Sequence, residues 1–139
     1  MGGRFWISGI VMSVLALAGG FVVHEVLLHA DYAAVPNLLR PEVEAQGYMG
    51  WMVLAHLLMG FGLTWIYLKG REPGKPPIAQ GLRFGAAIAV LVTIPTYLIY
   101  YAIQPWPGQV VVKQILYDTV CVLVMGAVVA LINQGPKSA

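Results

Sequence analysis

Two histidines and one aspartate, His24, His56 and Asp118, fall inside stretches otherwise built from Leu, Val, Ile, Ala and Gly. Close to them in those stretches are Tyr97, Tyr101 and Gln114. Two imidazoles and a carboxylate can ligate a metal, carry a proton, or hydrogen-bond a small polar ligand. Two histidines on neighbouring helices can also ligate one b-type haem, although three histidines in all leave no second pair. The string His24-Glu25-Val26-Leu27-Leu28-His29 resembles a zinc-protease helix but lacks its geometry. Its histidines stand five apart instead of four, so on a helix they diverge by about 140°.

The elements that must position these groups are four apolar runs at about residues 5–29, 47–68, 79–103 and 109–133. Each reaches the roughly 20 residues a helix needs to cross hydrocarbon. Charged residues make up 10% of the chain and hydrophobic ones 59%. A soluble domain carries about 25% charge, and no run here has a charged face. The expectation is an all-α membrane protein, one domain over residues 1–139, with four transmembrane helices in an antiparallel up-down bundle. An ionisable group at the centre of such a helix costs about 2.5–3.5 kcal/mol, so His24, His56 and Asp118 need a reason to be there.

Six basic residues, Arg4, Lys69, Arg71, Lys75, Arg83 and Lys137, lie before span 1, around the loop between spans 2 and 3, or in the tail. Arg40 and Lys113 belong to the other side. The positive-inside rule then puts both termini and the middle loop in the cytoplasm, and the bias argues against dual insertion. Trp6 and Trp65 fall at the inner boundary, Trp51 and Trp106 at the outer one, where indoles favour the headgroup level. Ala16-Leu17-Ala18 mimics a signal cleavage site, but the apolar run continues too far for a signal core, so an uncleaved first span is expected. Trp6 occupies the position where myristoylation requires Ser or Thr.

With this topology the polar groups of all four spans gather in the outer half, and little beyond Ser8, Ser13 and Thr64 lies in the inner half. In span 1, Gly9, Ser13, Ala16, Gly20, His24 and Asp31 share one stripe, and small residues on a stripe let membrane helices approach closely. Tyr48, Met52, His56, Gly60 and Thr64 form a line on span 2; Tyr97, Tyr101 and Gln104 share a face of span 3; Gln114, Asp118 and Cys121 share one of span 4. Glu25 points about 100° away from His24, along a helix seam or up to the surface. Lys113 is expected to reach the headgroups. Pro95 should kink span 3, and Cys121, the single cysteine, is read as an inert buried thiol.

The outer loop, residues 31–46, holds Asp31, Tyr32, Arg40, Glu42 and Glu44, with Leu38, Leu39 and Val43 able to form a short surface helix. The string His24-x-x-Leu27-Leu28-x-x-Asp31-Tyr32-Ala33-Ala34, followed by Arg40-Pro41-Glu42-x-Glu44, resembles a group of small bacterial inner-membrane proteins of four spans with no assigned activity. Gly81-Leu82-Arg83-Phe84-Gly85 and Pro105-Trp106-Pro107 extend the resemblance over most of the chain. It implies an architecture, a multi-pass protein of the bacterial inner membrane, and shared polar positions at His24, Asp31, Tyr32, Arg40 and Glu42. Glu25 and His29 depart from that pattern, which has small residues there. An Arg–carboxylate pair within Asp31, Arg40 and Glu42 would fold the loop over the bundle mouth; the alternative is a solvated loop.

The functional expectation is a non-enzymatic protein: an accessory subunit of a larger membrane complex, or a small-ligand-binding bundle with an outward-facing polar pocket formed by His24, His56, Tyr97, Tyr101, Gln114 and Asp118. The alternative is a proton- or metal-coupled transporter or a haem- or metal-binding redox component, with His24, His56 and Asp118 as the candidate metal ligands. A purely structural role, the same groups fixing helix register, competes with both. The lipid bilayer is the one partner composition implies; a homo-oligomer is compatible with it. The net charge of +2 gives no nucleic-acid surface. No phosphate-binding loop, nucleophile elbow or CxxC pair is present, and no cofactor is specified.

Overall fold

A computed structural model describes residues 2–134. Lys137, one of the basic residues counted above, lies outside them. The described residues are helical with no strand, and four helices are long and apolar enough to cross a membrane. Span 1 is Gly3–Leu27 and span 2 is Met49–Gly70. Span 3 is Pro77–Ile103 and span 4 is Gly108–Ile132. These bounds agree with the apolar runs to within about two residues at each end, the usual fraying of helix limits. Most large side chains on the helix surfaces are exposed apolar residues such as Ile7, Leu58, Leu91 and Ile99. That is the surface of a bundle whose solvent is hydrocarbon.

Spans 1 and 2 form one tight pair, and spans 3 and 4 another; spans 1 and 4 join the two pairs. Glycine sets both close approaches. A Cβ on Gly60 would run into the backbone of Ser13. On Gly85 it would come within 2.7 Å of the Val122 carbonyl oxygen and 2.9 Å of the Leu123 Cα. Without side chains there, the helix axes approach and dispersion contacts replace the hydrophobic drive that lipid cannot provide. The core formed by Met12, Ala16, Leu63, Tyr67, Met125, Val129 and Ala130 lies toward the end of the bundle where span 1 begins and spans 2 and 4 end. Ser8, Asn133, Arg4 and Arg71 mark that end: Asn133 Nδ2 donates to Ser8 Oγ over 2.7 Å, and Arg71 donates to the Asn133 carbonyl.

Two spans change helical pitch. Span 1 widens into a π-turn over Val22–Leu27, closed by Leu28 N–H donating to Val23 O over 2.9 Å. Span 3 widens over Ala89–Thr93, immediately before Pro95. Proline has no N–H to give the carbonyl four residues back, at Leu91, so the ladder must open there. The expected kink thus takes the form of a π segment. In the loop after span 1, His29–Ala33 is a short helix, Pro36–Leu38 a 3-10 turn and Glu42–Ala45 one helical turn. Val43, on that last turn, is exposed.

Candidate functional site

Asp118 lies on span 4, and Tyr97 of span 3 donates its hydroxyl hydrogen to Asp118 Oδ2. His24 of span 1 brings Nε2 to 3.5 Å from the same oxygen and to 3.5 Å from the Tyr97 hydroxyl. Three spans therefore meet at one carboxylate oxygen. The groups are largely shielded, with 33% of the His24 side chain and 19% of the Asp118 side chain exposed. Isolation is the expensive state for an ionised carboxylate in this setting, and Tyr97 and His24 relieve it.

The other side of the imidazole is held by the loop. Tyr32 Oη is 2.6 Å from His24 Nδ1, and the two rings stack with centroids 5.9 Å apart and planes 8° from parallel. Gln114, buried on span 4, donates its Nε2 hydrogen to the Tyr32 hydroxyl over 3.0 Å. Burial pushes the Tyr32 phenol above its ordinary value of 10.0; the Gln114 amide pulls it back, and the negative charges of Asp118, Asp31 and Glu25 push it up again. Tyr32 therefore keeps its proton through the physiological range and can donate it to Nδ1. With Nδ1 accepting, neutral His24 carries its hydrogen on Nε2, the nitrogen that faces Asp118. Tyr32 thus receives from Gln114 and gives to His24 Nδ1, which leaves the Nε2 hydrogen facing Asp118 at 3.5 Å, with Tyr97 donating to Asp118 from the far side.

Local structure explains how Tyr32 arrives. The π-turn ends at Leu28, which is fully buried, and the next helix starts at His29 with Tyr32 N–H donating to Leu28 O over 2.9 Å. One turn further on, the chain has returned Tyr32 over the end of span 1. Asp31 beside it accepts two hydrogen bonds from Lys113 Nζ of span 4, at 2.8 and 2.9 Å, and only 15% of its side chain is exposed. The loop is clamped to the start of span 4 by Asp31–Lys113 and Tyr32–Gln114, consecutive residues on each side.

Of the residues singled out in the sequence, His24, Tyr97, Gln114 and Asp118 are brought together, joined by Tyr32 from the loop between spans 1 and 2. His56 is held apart: its Nδ1 donates to the carbonyl of Met52 over 2.7 Å, in its own helix. Its Nε2 lies 3.2 Å from where a Cβ on Gly20 would stand, one turn along span 1 from His24. Tyr101 is exposed and lies beside Gly108. Arg40 pairs with Glu44 at 3.9 Å and covers the Tyr48 ring, with its carbon 3.9 Å from the centroid. Glu42 is exposed. The pair that closes the loop onto the bundle is thus Asp31–Lys113 and not one made by Arg40, and Lys113 is turned to Asp31 instead of toward the headgroups. Glu25 and His29 are exposed.

A cavity of about 180 Å³ adjoins the cluster, lined by Tyr97, Tyr100, Gln104, Trp106 and Gln114. Tyr97 and Gln114 belong to both. Trp106 Nε1 donates to Gln104 Oε1 over 2.8 Å, and the Trp106 ring meets Tyr32 edge-on at 5.8 Å. Among the described residues no group of three His, Cys, Asp or Glu side chains has the spacing to hold a metal ion. The geometry reads accordingly: His24 and Asp118 adjoin, while His56 is turned to its own backbone. Both nitrogens of His24 face polar partners, Nδ1 the Tyr32 hydroxyl and Nε2 the Tyr97 hydroxyl and Asp118. What the cluster offers chemically is an ordered donor–acceptor path ending on a carboxylate, next to a small aromatic-walled space.

Sequence reasoning underrates Tyr32 and Lys113. No spacing rule carries a side chain back over eight residues through a π-turn. The Asp31–Lys113 pair has a readable signal: opposite charges at the same boundary of two apolar runs. No protein-family model, curated protein or solved structure matches the chain.

Proposed function

We propose that this chain is a multi-pass protein of the bacterial inner membrane, an antiparallel up-down bundle with both termini cytoplasmic, that binds a small polar ligand without transforming it. One observation carries the reading: the cavity beside Tyr97 and Gln114 shares those residues with the hydrogen-bonded cluster of Tyr32, His24 and Asp118. Pockets for small ligands are mostly apolar or aromatic with a few fixed polar groups. Tyr97, Tyr100 and Trp106 supply the walls here, and Gln104 and Gln114 the amides. The pocket opens at the end of the bundle away from the basic loop, which the positive-inside rule makes the outer face. A role as the ligand-sensing accessory subunit of a larger complex fits the same pocket.

The His24–Asp118 approach favours one second reading, a proton-coupled carrier, because a carboxylate and an imidazole at 3.5 Å can share a proton.

Trp106 is the reporter for the test. Purified protein is titrated with a panel of small zwitterions and organic cations while tryptophan emission is followed, and Trp106→Phe is run in parallel. The expected result is saturable quenching by one chemical class, lost in Trp106→Phe and weakened about tenfold in Gln114→Ala, the scale of one lost buried hydrogen bond. Identical, unsaturable responses in wild type and Trp106→Phe would reject the pocket. Ligand-driven proton uptake in sealed vesicles that vanishes in Asp118→Asn would select the carrier reading.

A further inference from the structure

The opposite end of the bundle carries a second cavity, of about 200 Å³, lined by Gly2, Arg4, Phe5, Leu68, Arg71 and Asn133. Its two guanidinium groups come from different elements, the start of span 1 and the residue after span 2. Each is anchored from one side. Arg4 Nη1 donates to the carbonyl of Gln134 over 3.1 Å, and Arg71 Nη1 donates to the carbonyl of Asn133. The carbonyl-rich end of a helix attracts cations, so span 4 holds both arginines in place. A guanidinium has five N–H donors, and one nitrogen of each is taken up by these bonds. Both side chains line the cavity and are exposed, so their remaining donors are open to a ligand.

The rest of the lining is apolar. Phe5 is buried and stacks edge-on with Trp6 at 5.4 Å, and Leu68 is half-buried. Beyond them the wall passes into the exposed apolar surface of Trp6, Ile7 and Ile10. Asn133 Oδ1, buried at the floor, has no hydrogen-bond partner. The space corresponds to roughly seven waters at about 30 Å³ each, enough for a phosphate. Two arginines around a space of this size, at the level where a helical bundle leaves hydrocarbon and beside a strip of apolar surface, match one kind of molecule on both counts. A phosphodiester takes up paired guanidinium donors, and an attached acyl chain lies along the apolar strip. Clustered basic groups between helices at the headgroup level are suited to anionic headgroups.

We propose that the cavity between Arg4 and Arg71 is a binding site for the phosphate of an anionic phospholipid, whose acyl chain runs down the Phe5–Ile10 surface of span 1. The site is separate from the His24 cluster and independent of what that cluster binds. Among the described residues, two neighbouring basic groups are turned elsewhere: Arg83 pairs with Glu72 at 3.3 Å, and Lys69 lies 6.0 Å over the Trp65 ring.

The full chain, purified in mild detergent, is titrated with short-chain phosphatidylglycerol, short-chain phosphatidylcholine and inorganic phosphate, with native mass spectrometry and thermal shift as readouts. Phosphatidylglycerol is expected to bind at least tenfold more tightly than either of the others. Arg4→Gln and Arg71→Gln should each weaken it about tenfold, the scale of one lost charge-assisted hydrogen bond. Arg83→Gln should leave it unchanged. If either glutamine variant fails to fold, Arg4→Lys and Arg71→Lys keep the charge and the anchoring bond but lose the planar fork, and should weaken binding severalfold. Equal binding of the two lipids overturns the proposal without any variant. Inorganic phosphate binding as tightly as phosphatidylglycerol makes the site one for a soluble anion and overturns the lipid assignment. Unchanged affinity in all arginine variants overturns the location.

Discussion

Replacing Tyr97 by phenylalanine removes one oxygen from the point where spans 1, 3 and 4 meet, and keeps the ring. Asp118 then retains His24 Nε2 at 3.5 Å as its remaining partner in the cluster. Hydrogen bonds to charged groups contribute about 1.5–3 kcal/mol in soluble proteins. Polar contacts between membrane helices average about 0.6 kcal/mol and reach about 1.7. The two ranges overlap near 1.5 kcal/mol, and a carboxylate only 19% exposed belongs at that upper end of the membrane range. Tyr32→Phe removes the bonds to His24 and Gln114, two neutral contacts worth about 1.2 kcal/mol together at the membrane average. The two tyrosines have no hydrogen bond to one another, yet each touches His24. Without the Tyr32 hydroxyl nothing fixes the imidazole hydrogen on Nε2, so Asp118 depends more heavily on Tyr97. The double variant should therefore lose at least about 0.5 kcal/mol more than the sum of the single losses. Ser8→Ala, at the opposite end beside Asn133, should add to Tyr97→Phe within about 0.3–0.5 kcal/mol. Reversible unfolding in mixed micelles, followed by circular dichroism, measures the three single and two double variants. Additivity of the two tyrosine changes as clean as the Ser8 control would mean that these side chains are separate contacts, and the directional network would be wrong.

Three further outcomes follow from the geometry. Gly85→Val drives a side chain into the Val122 carbonyl and Leu123 Cα, backbone that cannot yield, and should cost about 1–3 kcal/mol in the same assay; Gly62→Val, where a Cβ meets nothing within 4 Å, should be near neutral. The Tyr32 phenol is raised in the folded chain above the 10.0 of an unfolded tyrosine. The unfolded state therefore loses this proton first, and the stabilisation, complete below pH 10, declines as pH rises through the folded value. Wild type should lose stability above pH 10 more steeply than Tyr32→Phe, and coincident curves would contradict the burial assigned to Tyr32. In a Cys121→Ser background, a cysteine at Gly74 should resist a membrane-impermeant maleimide in intact spheroplasts while one at Ala45 reacts; the reverse pattern would invert the proposed orientation.

The four spans are legible in the sequence because hydrocarbon imposes a length and a composition that few other environments tolerate. The meeting of His24, Tyr97, Gln114 and Asp118 follows from stripes and depth, both of which depend on regular helical pitch. His56 shows where depth alone falls short. It reaches the same face of span 1 as His24, but a carbonyl in its own helix, at Met52, satisfies its Nδ1. Nothing in the residue order distinguishes an inward histidine from one bonded to its own backbone. The polar groups at the opposite end were undercounted for a related reason. Asn133 and Gln80 fall at the very ends of the apolar runs, outside the stripes traced along each span, yet both are buried. Gln80 holds the middle loop by exchanging hydrogen bonds with the backbone of Glu72 and donating from Nε2 to the carbonyl of Lys75.

The loop between spans 1 and 2 is where sequence reasoning had least purchase, and physically it is what completes the cluster. His24 has two nitrogens, and the spans supply partners for only one of them. The second must come from water or from a segment outside the membrane, and the π-turn at Val22–Leu27 redirects the chain so that Tyr32 supplies it. The same segment places Asp31 on Lys113 and the Tyr32 ring against Trp106, a wall of the cavity. Any displacement that carries Tyr32 away must therefore break the Gln114 bond, release His24 Nδ1 and leave the Trp106 ring together, because a single tyrosine makes all three contacts. A loop that merely rested on the bundle would let these events occur separately. Lys113→Met distinguishes the two cases: it removes the clamp at Asp31 without touching Tyr32. If the segment acts as one unit, loss of the clamp should raise amide exchange at Tyr32 and weaken the response of Trp106 to ligand in the same variant. Faster exchange at Asp31 alone, with Trp106 unaffected, would show that the loop is only a cover.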